Sequence, residues 1–384
     1  MIIFTTNINA YDNIPDHFYD ADVKYVMFYD KEIPHKGPWE FRKLDCQYDH
    51  PVLNAYHTRC LSHLLFDEPH VWIDGCYTMT KQFVENSKKF LQMVTTNDIN
   101  KLEQGKVQYS SILNRSGGII DDLLVYDMGS NKYMLVLNAS NMEKDFLWLN
   151  ENNDYNVEIK NHSDQISLFA VQGPYTEKVC SKLFDKDLSS VKYYTFVEKD
   201  TSKYGNVVIS ATGYTGAGGF ELYVKNEFAE TLWSAIMSEG EEYNIKPIGL
   251  GARDTLRLEM GFCLHGNDID DSINPIEAGL GWICKKDIEF IGSEIVSRDR
   301  EKKPSKILIG FTLKDKGIPR KGYKILNSEG LLIGEVTSGS ISPYTKKAIG
   351  MGYINYKENK ESKSIFIEVR GKKIEAIITK RPFI

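Results

Sequence analysis

What is scarce in these 384 residues narrows the field first. No apolar run approaches the roughly 20 residues a membrane span needs, so no transmembrane helix is expected. Cysteine is sparse: Cys46, Cys60, Cys76, Cys180, Cys263 and Cys284 stand without close pairs, which suits reduced thiols better than a disulfide framework. Positive charge is not in excess. A net charge of -6 argues against a general nucleic-acid binder, which needs a basic surface to displace phosphate counterions. The opening stretch, MIIFTTNINAYDNIPDHFYD, has acidic residues, no Arg and no small-residue cleavage site, so neither a secretory signal nor a transit peptide is expected. The cytoplasm is the expected compartment.

What is present fits a soluble chain of two or three domains, 42% hydrophobic and 26% charged. Charge is unevenly spread: from Lys285 onward there are 22 Lys+Arg against 12 Asp+Glu, and before it 25 against 41. The ordinary reading is a Lys-rich solvated face; the sharper one is a basic surface for an acidic protein partner or an anionic substrate.

Hydrophobic periodicity gives the element order. Residues 86–101 read as a short helix with Phe90, Leu91 and Val94 on one side, and KVQYSSILN, GGIIDDLLVYD and KYMLVLNAS as an antiparallel meander. SNMEKDFLWLNEN follows as a helix with Ser140 as N-cap and Glu143 three residues on. Strands and helices then alternate through ISLFAVQGP, YTEKVCSKLF, NVVISATGYTGAGGFELYV and FAETLWSAIMSEGEEYN. From about residue 303 only short strands remain, as expected of a small β-barrel or sandwich, with 284–302 as the boundary.

Chemistry concentrates where charge interrupts apolar pattern. In GGIIDDLLVYD, strand alternation sends Asp121 and Asp122 to opposite faces, so one carboxylate must point inward. ISATGYTGAGGFELYV lacks the Lys-Ser/Thr and following helix of a phosphate loop and reads as a Gly-rich hairpin; Tyr214 and Glu221, a carboxylate within an apolar strand, exceed that role. A buried Glu commonly pairs with Arg. PIGLGARDTLRLEMGF offers Arg253 in a helical first turn, placed to hold a ligand, while Arg257 and Glu259 read equally well as a structural ion network. CLHGNDIDDSINPIEAGLGW wraps like a loop over a pocket and lacks EF-hand spacing. His50, His57, Cys60, His63, His70, Cys46 and Cys76 gather potential ligands without a recognised metal spacing, and no metal is expected.

These motifs, with TTNDINKLEQGKVQYSSILNRSGGIIDDLLVYD, LVLNASNMEKDFLWL, AVQGP and IPRKGYKILNSEGLLIGEVTSGSISPYTKKAIGMGYI, closely resemble the aminomethyltransferase family, the T-proteins of glycine cleavage, from about residue 90 to 384. The resemblance implies an α+β, three-domain cloverleaf, with two mixed α+β domains bearing antiparallel sheets and a C-terminal β-barrel. Applied to this chain, it makes 1–75 and 165–284 two parts of domain 1, 76–164 domain 2 and 303–384 the barrel. It implies transfer of an aminomethyl carbon from the lipoyl arm of H-protein to tetrahydrofolate, forming 5,10-methylenetetrahydrofolate and ammonia, with the other cleavage-system proteins as partners. By motif position Asp122 is the catalytic carboxylate, and Tyr109, Tyr126, Tyr214, Glu221, Arg253, His265 and Trp282 bind or line the folate site. Within the same superfamily, the alternatives are a folate-dependent demethylase of a small methylated compound and a non-catalytic folate-binding relative.

Overall fold

The computed structural model describes residues 86–359 and 363–384, and before them the backbone of four strands, β1 (Ile2–Asn7), β2 (Lys24–Tyr29), β3 (Trp39–Lys43) and β4 (His70–Trp72). The chain divides into two compact units, residues 1–87 with 130–132 and residues 88–129 with 133–384. In the first unit the four strands form a parallel sheet in the order β3-β2-β1-β4. After Lys24, the run YVMFY is the near-continuous apolar pattern parallel strands carry. This sheet is absent from the sequence-based expectation of antiparallel sheets alone, and the side chains of the His/Cys cluster at 46–76 lie outside the described residues.

Helix α1 (Asn86–Val94), all but its first two residues in the second unit, buries Phe90, Leu91 and Val94 as their spacing predicts but stops well before residue 101. The meander β5 (Val107–Leu113), β6 (Ile119–Asp127) and β7 (Tyr133–Val136) follows in that spatial order, all antiparallel. Alternation divides β6 cleanly: Leu123 and Val125 join Phe90, Ile112 and Leu149 in one core, while Tyr126 joins Val107, Phe196, Val208 and Tyr223 in another. The helix α2 (Met142–Glu151) starts at Asn141, not at the expected Ser140 cap, and the Asn141 side chain makes no cap bond.

A second antiparallel sheet, ordered β8-β11-β10-β9, is built from β8 (Ile166–Gln172), β9 (Phe196–Thr201), β10 (Gly205–Ser210) and β11 (Gly219–Lys225). Helices α3 (Thr176–Phe184) and α4 (Ala229–Gly240) cover it, setting Cys180, Phe184, Leu232 and Ile236 against Val207, Ile209 and Leu222. Next comes α5 (Leu250–Glu259), and then α6 (Ser293–Lys302), which occupies the stretch expected to be only a boundary. Its one buried residue is Val296, so it carries almost no apolar stripe for sequence to reveal.

The six expected C-terminal strands are β12 (Lys306–Leu313), β13 (Lys324–Leu326), β14 (Leu332–Ile341), β15 (Ala348–Asn355), β16 (Ser364–Val369) and β17 (Lys372–Thr379). They close into a barrel in the order β12-β15-β14-β13-β16-β17, which removes exposed sheet edges. Ile325, Val336, Ile365 and Ile367 are wholly enclosed in it, each contributing about 1.5–3 kcal/mol by burial.

Candidate active site

The two adjacent aspartates on β6 part as alternation requires. Asp121 is completely buried. Asp122 lies opposite Ser111 of β5, on the face that also carries Tyr109, and the Tyr109 hydroxyl donates to Asp122 Oδ2 at 2.8 Å. Asn138 Nδ2 donates to Asp122 Oδ1 at 2.9 Å. Burial and the neighbouring Asp121 charge push the Asp122 carboxyl up to about 6, against the two hydrogen bonds, which favour its ionised form. The Tyr109 phenol is held well above its usual range by burial and by Asp122, so it remains a hydrogen donor.

The loop 263–282 closes over the start of β6. Ile119 N donates to both Asp270 O and Ile273 O, and Gly118 sits so tightly that a Cβ there would fall 1.7 Å from Asp271 O. Only glycine permits that approach. The loop delivers His265, whose Nδ1 lies 2.9 Å from Asn141 Nδ2 and whose Nε2 lies 3.4 Å from Ile119 O. It also delivers Trp282, 60% exposed, with its ring centre 5.9 Å from that of Tyr109. An open indole beside a phenol and a carboxylate forms a wall suited to a flat, hydrogen-bonding ring.

A second cluster forms around β11. Glu221 Oε2 accepts from Thr212 Oγ1 at 2.5 Å. Burial raises the Glu221 carboxyl, with Thr212 and the Arg253 charge pulling the other way. The expected Glu–Arg pairing is therefore looser than an ion-pair contact. The Arg253 guanidinium instead lies 4.6 Å from the centre of the Tyr214 ring, a cation–π arrangement. Tyr214 in turn stacks on Phe262 at 5.8 Å and donates to Cys263 O. Tyr126 is wholly buried, bonded to Tyr223, Ser210 and Thr212 at 2.9, 3.0 and 3.3 Å, so it reaches Glu221 only through Thr212 and supports that residue from behind.

Arg257 and Glu259 serve as structural ties. Arg257 is 1% exposed and donates to Asp268 and Asp254 at 2.6 Å and to Ser338 of β14 at 2.8 Å. Glu259 accepts from Ser342 and from Tyr344 N. Together they lock α5 to the barrel.

Sequence reasoning missed Asn138, Asn141 and Thr212, and with them Asp145, a carboxylate buried one turn into α2. The signal for Asn138, Asn141 and Asp145 lay in LNASNMEKD, which reads locally as an ordinary strand-to-helix turn, and that for Thr212 in the Gly-rich hairpin. A separate cavity of 670 Å³, lined by Lys182, Lys199, Thr201 and Glu239 among others, includes none of the candidate residues. Among the described residues no cluster of three metal-ligating side chains occurs.

Comparison with known proteins accords with this arrangement. Residues 79–288 match the GCVT N-terminal domain and residues 306–384 the glycine cleavage T-protein C-terminal barrel domain. The aminomethyltransferase of Bacteroides thetaiotaomicron is 47% identical over 337 residues, 86% of this chain and 91% of that protein. That of Halothermothrix orenii is 47% identical over 295 residues, 77% of this chain and 82% of its own. The crystal structure of the glycine cleavage system aminomethyltransferase T from Bartonella henselae superposes with a TM-score of 0.71 at 31% identity, covering 77% of this chain and 81% of the other. The chain belongs to the glycine cleavage T-protein family of aminomethyltransferases.

Proposed function

We propose that this chain transfers an aminomethyl carbon from the lipoyl arm of H-protein to tetrahydrofolate, releasing ammonia and forming 5,10-methylenetetrahydrofolate. The observation that carries the reading is Asp122: a carboxylate gripped by Tyr109 and Asn138, raised to about 6 and flanked by aromatic rings. A folate nitrogen is a weak nucleophile, and its attack on a carbon losing ammonia passes through positively charged species. A fixed carboxylate in a water-poor site stabilises that charge and takes up a proton, and a titration near 6 leaves it mostly ionised at neutral pH.

The remaining residues suit the acceptor. Tyr109 and Trp282 offer aromatic faces to a pterin, Glu221 accepts from its amino and ring N–H groups, and Arg253 serves the acidic part of the molecule. His265 borders the Asp122 side of the site. Lipoylated H-protein and the other cleavage-system proteins are the partners this reading requires, and the cytoplasm is its compartment. No helix among the described residues is long and apolar enough to cross a membrane.

The decisive measurement uses the full chain and aminomethylated lipoyl H-protein. Ammonia release that depends on added tetrahydrofolate supports the proposal; release that is absent, or indifferent to tetrahydrofolate, overturns it.

A further inference from the structure

Behind the reacting carboxylate lies a second acid pair that the chemistry above leaves unused. Asp145 projects from α2 into the core, completely buried, and among the described residues no donor reaches either of its carboxylate oxygens. The acid beside it is Asp121, itself completely buried. Two neighbouring carboxylates sealed from water repel strongly unless a cation or a proton offsets one of the charges. Among the described residues the neighbouring cation, Lys144, is engaged elsewhere: its Nζ donates to Ile120 O at 2.8 Å and lies 3.5 Å from Asp271. A proton must therefore offset one charge.

The hydrogen-bond pattern says which residue holds it. Asp121 Oδ2 accepts from Asn138 N at 3.0 Å, and Oδ1 accepts from Asn138 Nδ2 at 2.8 Å and Asn141 Nδ2 at 2.7 Å. Asp145 accepts none. An oxygen with no donor facing it is the one free to be an O–H. Burial first, then Asp121 and Asp271, raise the Asp145 carboxyl well above the usual range, with Lys144 opposing.

Each asparagine held by Asp121 has a second amide hydrogen, and each is spent at the reaction site. Asn138 Nδ2 reaches Asp122 Oδ1 at 2.9 Å; Asn141 Nδ2 reaches His265 Nδ1 at 2.9 Å, a contact that needs Nδ1 without a hydrogen. We propose that Asp145 is a positioning residue that carries the single proton of a buried Asp145–Asp121 pair, leaving Asp121 as the acceptor that aims Asn138 at Asp122 and Asn141 at His265. This rests on Asp122 as the reacting carboxylate, but the proton itself is observable without any turnover.

The test combines a spectroscopic and a kinetic reading on the full chain. At about pH 8, two units above the Asp122 titration, infrared difference spectra should retain the C=O stretch of a protonated carboxyl, and Asp145→Asn should remove it. A wild-type spectrum without that band overturns the proposal whatever the activity. Asp145→Asn keeps a donor toward Asp121 and should hold transfer within about threefold, whereas Asp145→Leu should cut kcat by roughly 10- to 100-fold and shift the acid limb of the pH profile, with KM for tetrahydrofolate little changed. Equal losses in both variants with an unmoved pH profile would reduce Asp145 to a packing role. Absence of transfer in the wild type counts against the proposed function and leaves the infrared result standing.

Discussion

Tyr109 and Asp122 sit on neighbouring strands, diagonal to one another across the β5–β6 ladder, and their 2.8 Å hydrogen bond joins the aromatic wall to the acid. Asp122→Asn keeps the shape and removes the charge. Transfer should fall by roughly a hundred- to ten-thousandfold while the variant stays folded and tetrahydrofolate binding stays near wild type. Single-turnover formation of methylenetetrahydrofolate gives the rate, and a rate within threefold of wild type would reduce the acid to a structural part.

The raised Asp122 carboxyl also sets a stability signature. A carboxyl lifted from 3.8 to about 6 in the folded state opposes folding as pH climbs through that interval and has no effect below it. Relative to Asp122→Asn, the wild type should therefore lose on the order of 2 kcal/mol between about pH 4 and about pH 7, after allowance for solvent screening. Urea midpoints of the two proteins across that range give the difference; groups common to both cancel.

Tyr109→Phe removes a donor that favours the ionised acid. The acid limb of kcat/KM, expected near 6 in the wild type, should move up by about half a unit to one unit, with a modest loss on the plateau. A limb that stays in place would mean that Asp122 is not the group it reports.

Glu221→Gln tests the second cluster. Losing an acceptor that faces ligand N–H groups should raise KM for tetrahydrofolate by roughly 10- to 100-fold and leave kcat within about threefold. A fall in kcat alone would place Glu221 with the reacting atoms instead.

Arg257→Met strands Asp268, whose carboxylate is completely buried. Chemical denaturation should register a loss of about 3–5 kcal/mol. Adding Asp268→Asn should recover part of it, because each single change leaves an uncompensated charge and the double change does not.

Much of this architecture is legible in order and type. The barrel strands read directly because β-branched residues recur between turns, and α1 because Phe90, Leu91 and Val94 share one face. Within the second unit two elements were hidden for a shared reason, too little apolar pattern. β9 alternates FVEKDT, with too few apolar residues to stand out, and α6 buries only Val296. At the site, Asp122 and Glu221 announce themselves as charges within apolar strands. Asn141 does not, since its side chain leaves the helix cap to meet Asp121 and His265, partners 20 and 124 residues away in sequence. No local pattern records so distant a choice.

The tie between α5 and β14 limits how this protein can be divided. Ser338, Thr337 and Ser342 bond to Arg257, Asp268 and Glu259, so a chain stopped before β12 would strip three buried polar side chains of these partners. The part that carries Asp122 cannot be borrowed without the barrel, which carries none of the candidate site residues. Chimaeras between relatives should fold only when the segment holding α5 and the barrel come from the same parent, or when these hydroxyls and charges are matched across the join.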